Sequence, residues 1–245
     1  MLSLFKNLFS KTEEKPFHPG IFRNPLAEKV SWSPQKSGGS NFKNFRLVLK
    51  DSRTLIYKPT SFSYVFSAFF LIAPVTFLFI FSLNGEINQS DQFLKFPFIL
   101  IIPIFIGTAV FMAYKILRPQ GFNKQLGYHY KSFKKPTSQR EVPESNKWTK
   151  LDQIEAIQII KERVRTKNSS YSSYELNLVL KDASRINVID HSKYKQIQED
   201  ARVIADFIGI PYWDAVNMYL YEPKIARRQV DLDSDYDSTP RFREM

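Results

Sequence analysis

Few residues in this 245-residue chain combine the types and spacing that chemistry needs. Near the end, Asp231, Asp233, Asp235 and Asp237 alternate with other residues, and D-x-D-x-D is how a calcium loop begins. In the register that starts at Asp233 the twelfth position is Glu244, a suitable bidentate ligand, but the sixth is Ser238, where the loop's sharp turn requires glycine. A solvated acidic tail accounts for the same aspartates. The histidines, His18, His129 and His191, lie too far apart for a local metal motif, and no H-E-x-x-H occurs; His129 on a strand and His191 at a helix start read as structural. Gly38-Gly39 is not followed by the G-K-[ST] of a phosphate loop, and no G-x-S-x-G presents a serine nucleophile. The absence of cysteine excludes disulfides, zinc-thiolate and iron–sulfur sites and thiol catalysis. The expectation is a non-enzymatic protein with no cofactor and no catalytic, cofactor-binding or metal-ligating residues.

A more informative set is basic: Lys115, Arg118, Lys124, Lys131, Lys134 and Lys135. Beside an anionic lipid surface each such charge contributes about 1 kcal/mol, so these six are candidate membrane-surface residues, with the fixing of topology as the simpler role. The formal charge of +11 also raises nucleic acid as a partner. Its distribution gives another account. Residues 1–58 carry eleven Lys/Arg against four acids, and residues from 115 onward carry twenty-three against eighteen. Between them lie two uncharged apolar stretches, 59–85 and 96–114, separated by a short loop with Glu86, Asp91 and Lys95.

Each stretch has about the 20 residues needed to cross a hydrocarbon core of roughly 30 Å as a helix, and neither carries a polar stripe. The expectation is two transmembrane helices, 59–85 and 96–114, joined by an external loop at 86–95. The positive-inside rule then places both termini in the cytoplasm of a multi-pass inner-membrane protein. Neither stretch holds an ionisable side chain, which speaks against a pump or channel.

The remaining chain divides as follows. Residues 1–41 read as a loop region, with a short interfacial helix suggested by Leu4, Phe5, Leu8 and Phe9. Residues 42–58 form a β-hairpin, because Phe45, Leu47 and Leu49 alternate with polar residues, a polar turn follows, and Leu55 and Tyr57 resume the alternation. Residues 115–214 form a cytoplasmic α+β domain. Within it a strand covers 126–133, and 151–160 satisfies both helical and strand periods, its isoleucines favouring a strand over 155–163. Tyr174, Leu176, Leu178 and Leu180, then Ile186 and Val188, make a second hairpin. Its Leu-Lys-Asp turn echoes the first, an echo that shared turn chemistry explains better than duplication. Tyr194, Ile197, Ala201, Ile204 and Ile208 fall on one helix face, with Asp190 or Ser192 as cap and Gly209 as stop. Residues 215–245 read as a largely disordered tail.

Several strands followed by a long helix resemble a pleckstrin-homology-like small barrel, here split by the helical pair. The stretches from Trp32-Ser-Pro to Phe45-Arg46-Leu47, from Ser173-Tyr-Glu-Leu to Asn187-Val-Ile-Asp190-His191, and Gly209-Ile-Pro-Tyr-Trp213-Asp214 resemble a family of uncharacterised two-pass proteins of the bacterial inner membrane. The layout is also similar to that of a thylakoid photosystem assembly factor. The resemblance implies an α+β membrane protein, with a transmembrane hairpin inserted in a pleckstrin-homology-like β-barrel or sheet that ends in an α-helix. It implies no activity. The function expected is an adaptor or assembly factor for another membrane protein, with an anionic-lipid-binding module or an accessory transporter subunit as alternatives. The expected partners are membrane lipids and a membrane or cytoplasmic protein, together with a homo-oligomer, and not nucleic acid.

Overall fold

The computed structural model describes residues 17–35, 38–40, 42–83, 92–134, 148–165 and 170–223; at 77–78, 81–83 and 92–102 it describes the backbone only. The chain opens with a 3-10 turn, Pro19–Phe22, and a short helix, α1 (Pro25–Lys29). Strands β1 (Phe45–Asp51) and β2 (Thr54–Pro59) follow, then helices α2 (Ser61–Leu83) and α3 (Gln92–Leu117). Next come β3 (Gln120–Asn123), β4 (Tyr128–Lys131), β5 (Trp148–Lys150), β6 (Ile154–Arg165), β7 (Ser170–Leu180) and β8 (Arg185–His191). Helix α4 (Tyr194–Ile208) precedes β9 (Tyr212–Asp214) and β10 (Tyr219–Tyr221).

The strands make two sheets. The first runs β1-β2-β3-β4-β5 and is antiparallel throughout; the second runs β10-β9-β6-β7-β8, with β9 parallel to β6. The two hairpins read from sequence therefore lie in different sheets, and α2 and α3 are inserted between neighbouring strands β2 and β3 of the first. Both sheets and α4 share one apolar core. Leu55, Tyr57 and Phe122 come from the first sheet, Ile157, Ile159, Leu176 and Leu178 from the second, and Ile197, Ala201 and Ile204 from α4. Alternation selects these positions, because every second residue of a strand and every third or fourth of a helix face one side. A bulge in β8 shifts the register opposite Leu176 and Asn177. The Val188 carbonyl accepts from Gln120 Nε2 (3.0 Å) and Lys131 Nζ (3.3 Å), tying the first sheet to the edge of the second.

The expected architecture needs correction on several points. There is no barrel, because the second sheet continues past α4 into β9 and β10, and each described sheet keeps two edge strands. Helix α4 is consequently not terminal, and β10 occupies part of what reads as a disordered tail. The two-pass reading is also overturned: among the described residues no helix is long and apolar enough to cross a membrane. The transmembrane assignment and the multi-pass inner-membrane localisation, with both ends in the cytoplasm, fall with it. The possible helix near Leu4, the loop after Leu83 and the alternating aspartates lie outside the described residues.

Of residues 17–40, which read as loop, the described ones, 17–35 and 38–40, instead cover the outer face of the second sheet. Phe17, Phe22 and Trp32 pack on the fully buried Trp213. Phe22 stacks on Trp32 at 5.0 Å between ring centroids, and Trp32 Nε1 donates to the Ala27 carbonyl at 2.7 Å. Asn24 caps α1 by accepting from the Leu26 amide (2.8 Å), and its Nδ2 reaches Glu155 at 2.9 Å. Helix α4 ends at Gly209, whose φ of +91° only glycine adopts without strain. Its start departs from expectation: the cap position is Lys193, with no side-chain cap bond, while Asp190 accepts from Asn187 Nδ2 at 2.7 Å.

Candidate docking surface

Helix α2 continues the direction set by a polar knot at its start. Ser63 Oγ donates to the Asn44 carbonyl (2.6 Å) and Thr60 Oγ1 to the Lys43 carbonyl (2.9 Å), which fixes the helix to the chain entering β1. From there an aromatic row climbs from Phe42 through Phe62 and Phe66 to Phe70, with centroids 5.4–5.7 Å apart, and Phe70 meets Phe105 of α3 at 6.0 Å. Outside this seam, among the described side chains, Val65, Phe69, Ile72 and Val75 of α2 are exposed, Val65 at 69%, as are Ile104, Val110, Phe111 and Tyr114 of α3, Ile104 at 66%. Exposed apolar side chains scattered singly are ordinary, but a contiguous surface of this kind marks a place that something apolar covers. At Gly107 of α3 a Cβ would stand in open space.

The six basic residues divide. Lys115 and Arg118 end α3, and Lys131 and Lys134 come to the same place through β4, where the Ser132 amide donates to the Pro119 carbonyl at 3.0 Å and Phe133 packs on Tyr114. Lys115 Nζ lies 4.8 Å above the Phe111 ring, at the boundary between charge and bare apolar surface. Lys124 stands beyond the other end of β3, its Nζ 4.7 Å from the Phe207 ring beside α4. Lys135 lies outside the described residues.

Two polar clusters escape a reading by periodicity. In the first, Asp200 of α4 is buried beside Tyr57; Gln196 Nε2 donates to it at 3.1 Å and Gln196 Oε1 accepts from Lys43 Nζ at 2.6 Å. The Tyr57 hydroxyl faces the same carboxyl without an ordinary hydrogen bond. Burial pushes the Asp200 pKa up to about 6, against the opposing pull of Gln196 and Lys43. The second cluster lies under residues 31–40. Glu175 accepts from the Gln35 amide at 3.0 Å and from Asn177 Nδ2 at 2.9 Å, and Glu162 accepts from the amides of Gly38 and Gly39, both at 2.9 Å. Arg185 donates to the Ser33 carbonyl (2.9 Å) and Gln158 to that of Ser31 (3.0 Å). Tyr171 and Ser173 donate to the carbonyls of Gly39 and Ser40. Loss of water around the Arg185 guanidinium lowers its pKa, and burial raises that of Asp190.

The histidines stay apart. His18 Nδ1 accepts from the Gly20 amide, and His191 Nδ1 from the Lys193 amide at 2.7 Å. His129 is buried against Phe122, where loss of hydration drives its pKa down to about 3. Among the described residues no group of three or more His, Asp or Glu could hold a metal ion. The chain matches no family model, and no curated protein or solved structure is detectably similar to it.

Proposed function

We propose that the chain is a non-enzymatic adaptor or assembly factor whose helical pair is covered by an apolar helical segment of a second protein. The observation that carries this is the exposed apolar surface of α2 and α3, set against two sheets and a helix α4 that meet in a common core. Leaving large side chains in water forgoes about 1.5–3 kcal/mol each, so so many together on one helical pair call for a cover. A helix is the cover that fits, because Val65, Phe69, Ile72 and Val75 recur at steps of three and four along α2 and make the kind of ridge a neighbouring helix packs against.

The tagged full-length chain is expected to carry a stoichiometric partner that is lost from a Val65→Lys, Ile104→Lys double variant. Both side chains point away from the core, so the thermal midpoint of the domain stays unchanged. A wild-type chain without a stoichiometric partner, or a double variant that keeps it, contradicts the proposal. A second reading, attachment to anionic lipid headgroups, is favoured by Lys115, Arg118 and Lys134 near the place where α3 meets the first sheet. It predicts salt-sensitive flotation with anionic vesicles and none with neutral ones.

A further inference from the structure

The outer face of the second sheet is divided in two. One part is apolar: Ala156, Val179 and Trp213 lie under Phe22, Ala27, Val30 and Trp32. The other is polar, although equally buried: Gln158, Ser173, Glu175 and Asn177 are all less than 5% exposed. A face that is always covered gains nothing from such residues, since burying a polar group and pairing it roughly breaks even, whereas burying an apolar one stabilises. A polar face suits a surface that also meets water. Its contacts with the described residues 33–35 and 38–40 fall largely on their backbone. Glu175 and Glu162 take amide N–H groups, while Arg185, Tyr171 and Ser173 donate to carbonyls. Such contacts read a backbone with little regard to its side chains, except at one point. At Gly39 a Cβ would stand 2.6 Å from Ser173 Cβ and 2.9 Å from Glu162 Oε2, so glycine alone fits there.

We propose that this polar face is a docking trough for a glycine-containing segment of a partner protein, which the chain's own residues 33–35 and 38–40 occupy in cis. The apolar anchor through Trp32 keeps the preceding segment in place while the polar part exchanges. This proposal stands whether or not α2 and α3 carry a partner.

The probe is a labelled peptide with the sequence of residues 31–40, SWSPQKSGGS, offered to the full-length chain. In a Gly39→Val variant the cis segment no longer seats, and the peptide is expected to bind about tenfold or more tightly than to the wild type, where the tethered segment competes at high effective concentration. A peptide carrying valine at the position of Gly39 is expected not to bind. Equal binding of the probe by both chains, or none by either, overturns the proposal. Should the valine variant fail to fold, amide exchange decides. Glu162→Gln is expected to speed exchange at Gly38 and Gly39 about tenfold while β6 and β7 keep their protection, because one charge-assisted clamp is weakened. Exchange of those two amides only together with β6 and β7, in wild type and variant alike, overturns it.

Discussion

At the scale of single residues, two buried titratable groups work against each other. His129 is held neutral, its pKa depressed to about 3 by burial against Phe122. An unfolded chain takes up that proton near pH 6.5, so the stability His129 contributes is complete above that pH and is lost as pH falls toward 3. Asp200 has the opposite sign. Its pKa is raised to about 6, so its contribution is complete below about pH 3.8 and is lost as pH rises through 6. His129→Phe is therefore expected to flatten the acid limb of a stability–pH profile. Asp200→Asn is expected to raise stability at pH 7, each effect being on the order of 1–3 kcal/mol by linkage. Chemical denaturation between pH 4 and 8 reads both, and an acid limb unchanged by His129→Phe would contradict the assignment. Neither effect is visible in the sequence. Alternation places His129 on a strand, but its burial depends on Phe122 across the ladder. Asp200 looks like an ordinary polar position of an amphipathic helix until Tyr57 from the other sheet closes over it.

At the scale of elements, turn chemistry and period carry furthest. The alternation of Tyr174, Leu176, Leu178 and Leu180 and the repeat of Ile197, Ala201 and Ile204 point to the faces that the core buries in β7 and α4. The Leu-Lys-Asp echo has a structural basis: Asp51 accepts from the Arg53 amide at 2.9 Å and Asp182 from the Ser184 amide at 2.8 Å, the same side-chain turn in both hairpins. In the second turn Ala183 sits at φ +67°, a left-handed conformation that glycine adopts freely. Ala183→Gly is expected to stabilise the protein by about 1 kcal/mol, read as a raised denaturation midpoint with an unchanged slope. A lowered midpoint would contradict the turn described here. Of the strands of three or four residues, β4 was legible within 126–133, whereas others remained hidden. Strands β3, β9 and β10 are too short to show a period, and they exist because Leu55, Ile157 and Asp214 present ladders to them from elsewhere in the chain. The cover formed by residues 17–35 and 38–40 was hidden by its prolines, which read as loop. Its aromatic residues, Phe17, Phe22 and Trp32, were the available signal, because a loop in water has no use for three large rings.

At the scale of the molecule, one core holds two sheets and α4, and an apolar helical pair leaves the first sheet between β2 and β3. The sequence shows the pair as two uncharged runs, and their length with the lack of any polar stripe assigned them to a bilayer. What length does not reveal is how each side chain is disposed. One side of α2 closes on α3 through Phe70 and Phe105, while Val65, Ile72 and Ile104 stand clear. An adaptor that meets its partner through this surface places the contact on the helices and leaves the two-sheet domain to hold them. The most direct measurement is photo-cross-linking in the native cell, with a photoreactive residue at position 65, 72 or 104 of the full-length chain. The account predicts one discrete protein adduct shared by all three positions and absent when the probe replaces the buried Ser63 of the same helix. Adducts to lipid alone, or none at any of the three, would contradict it.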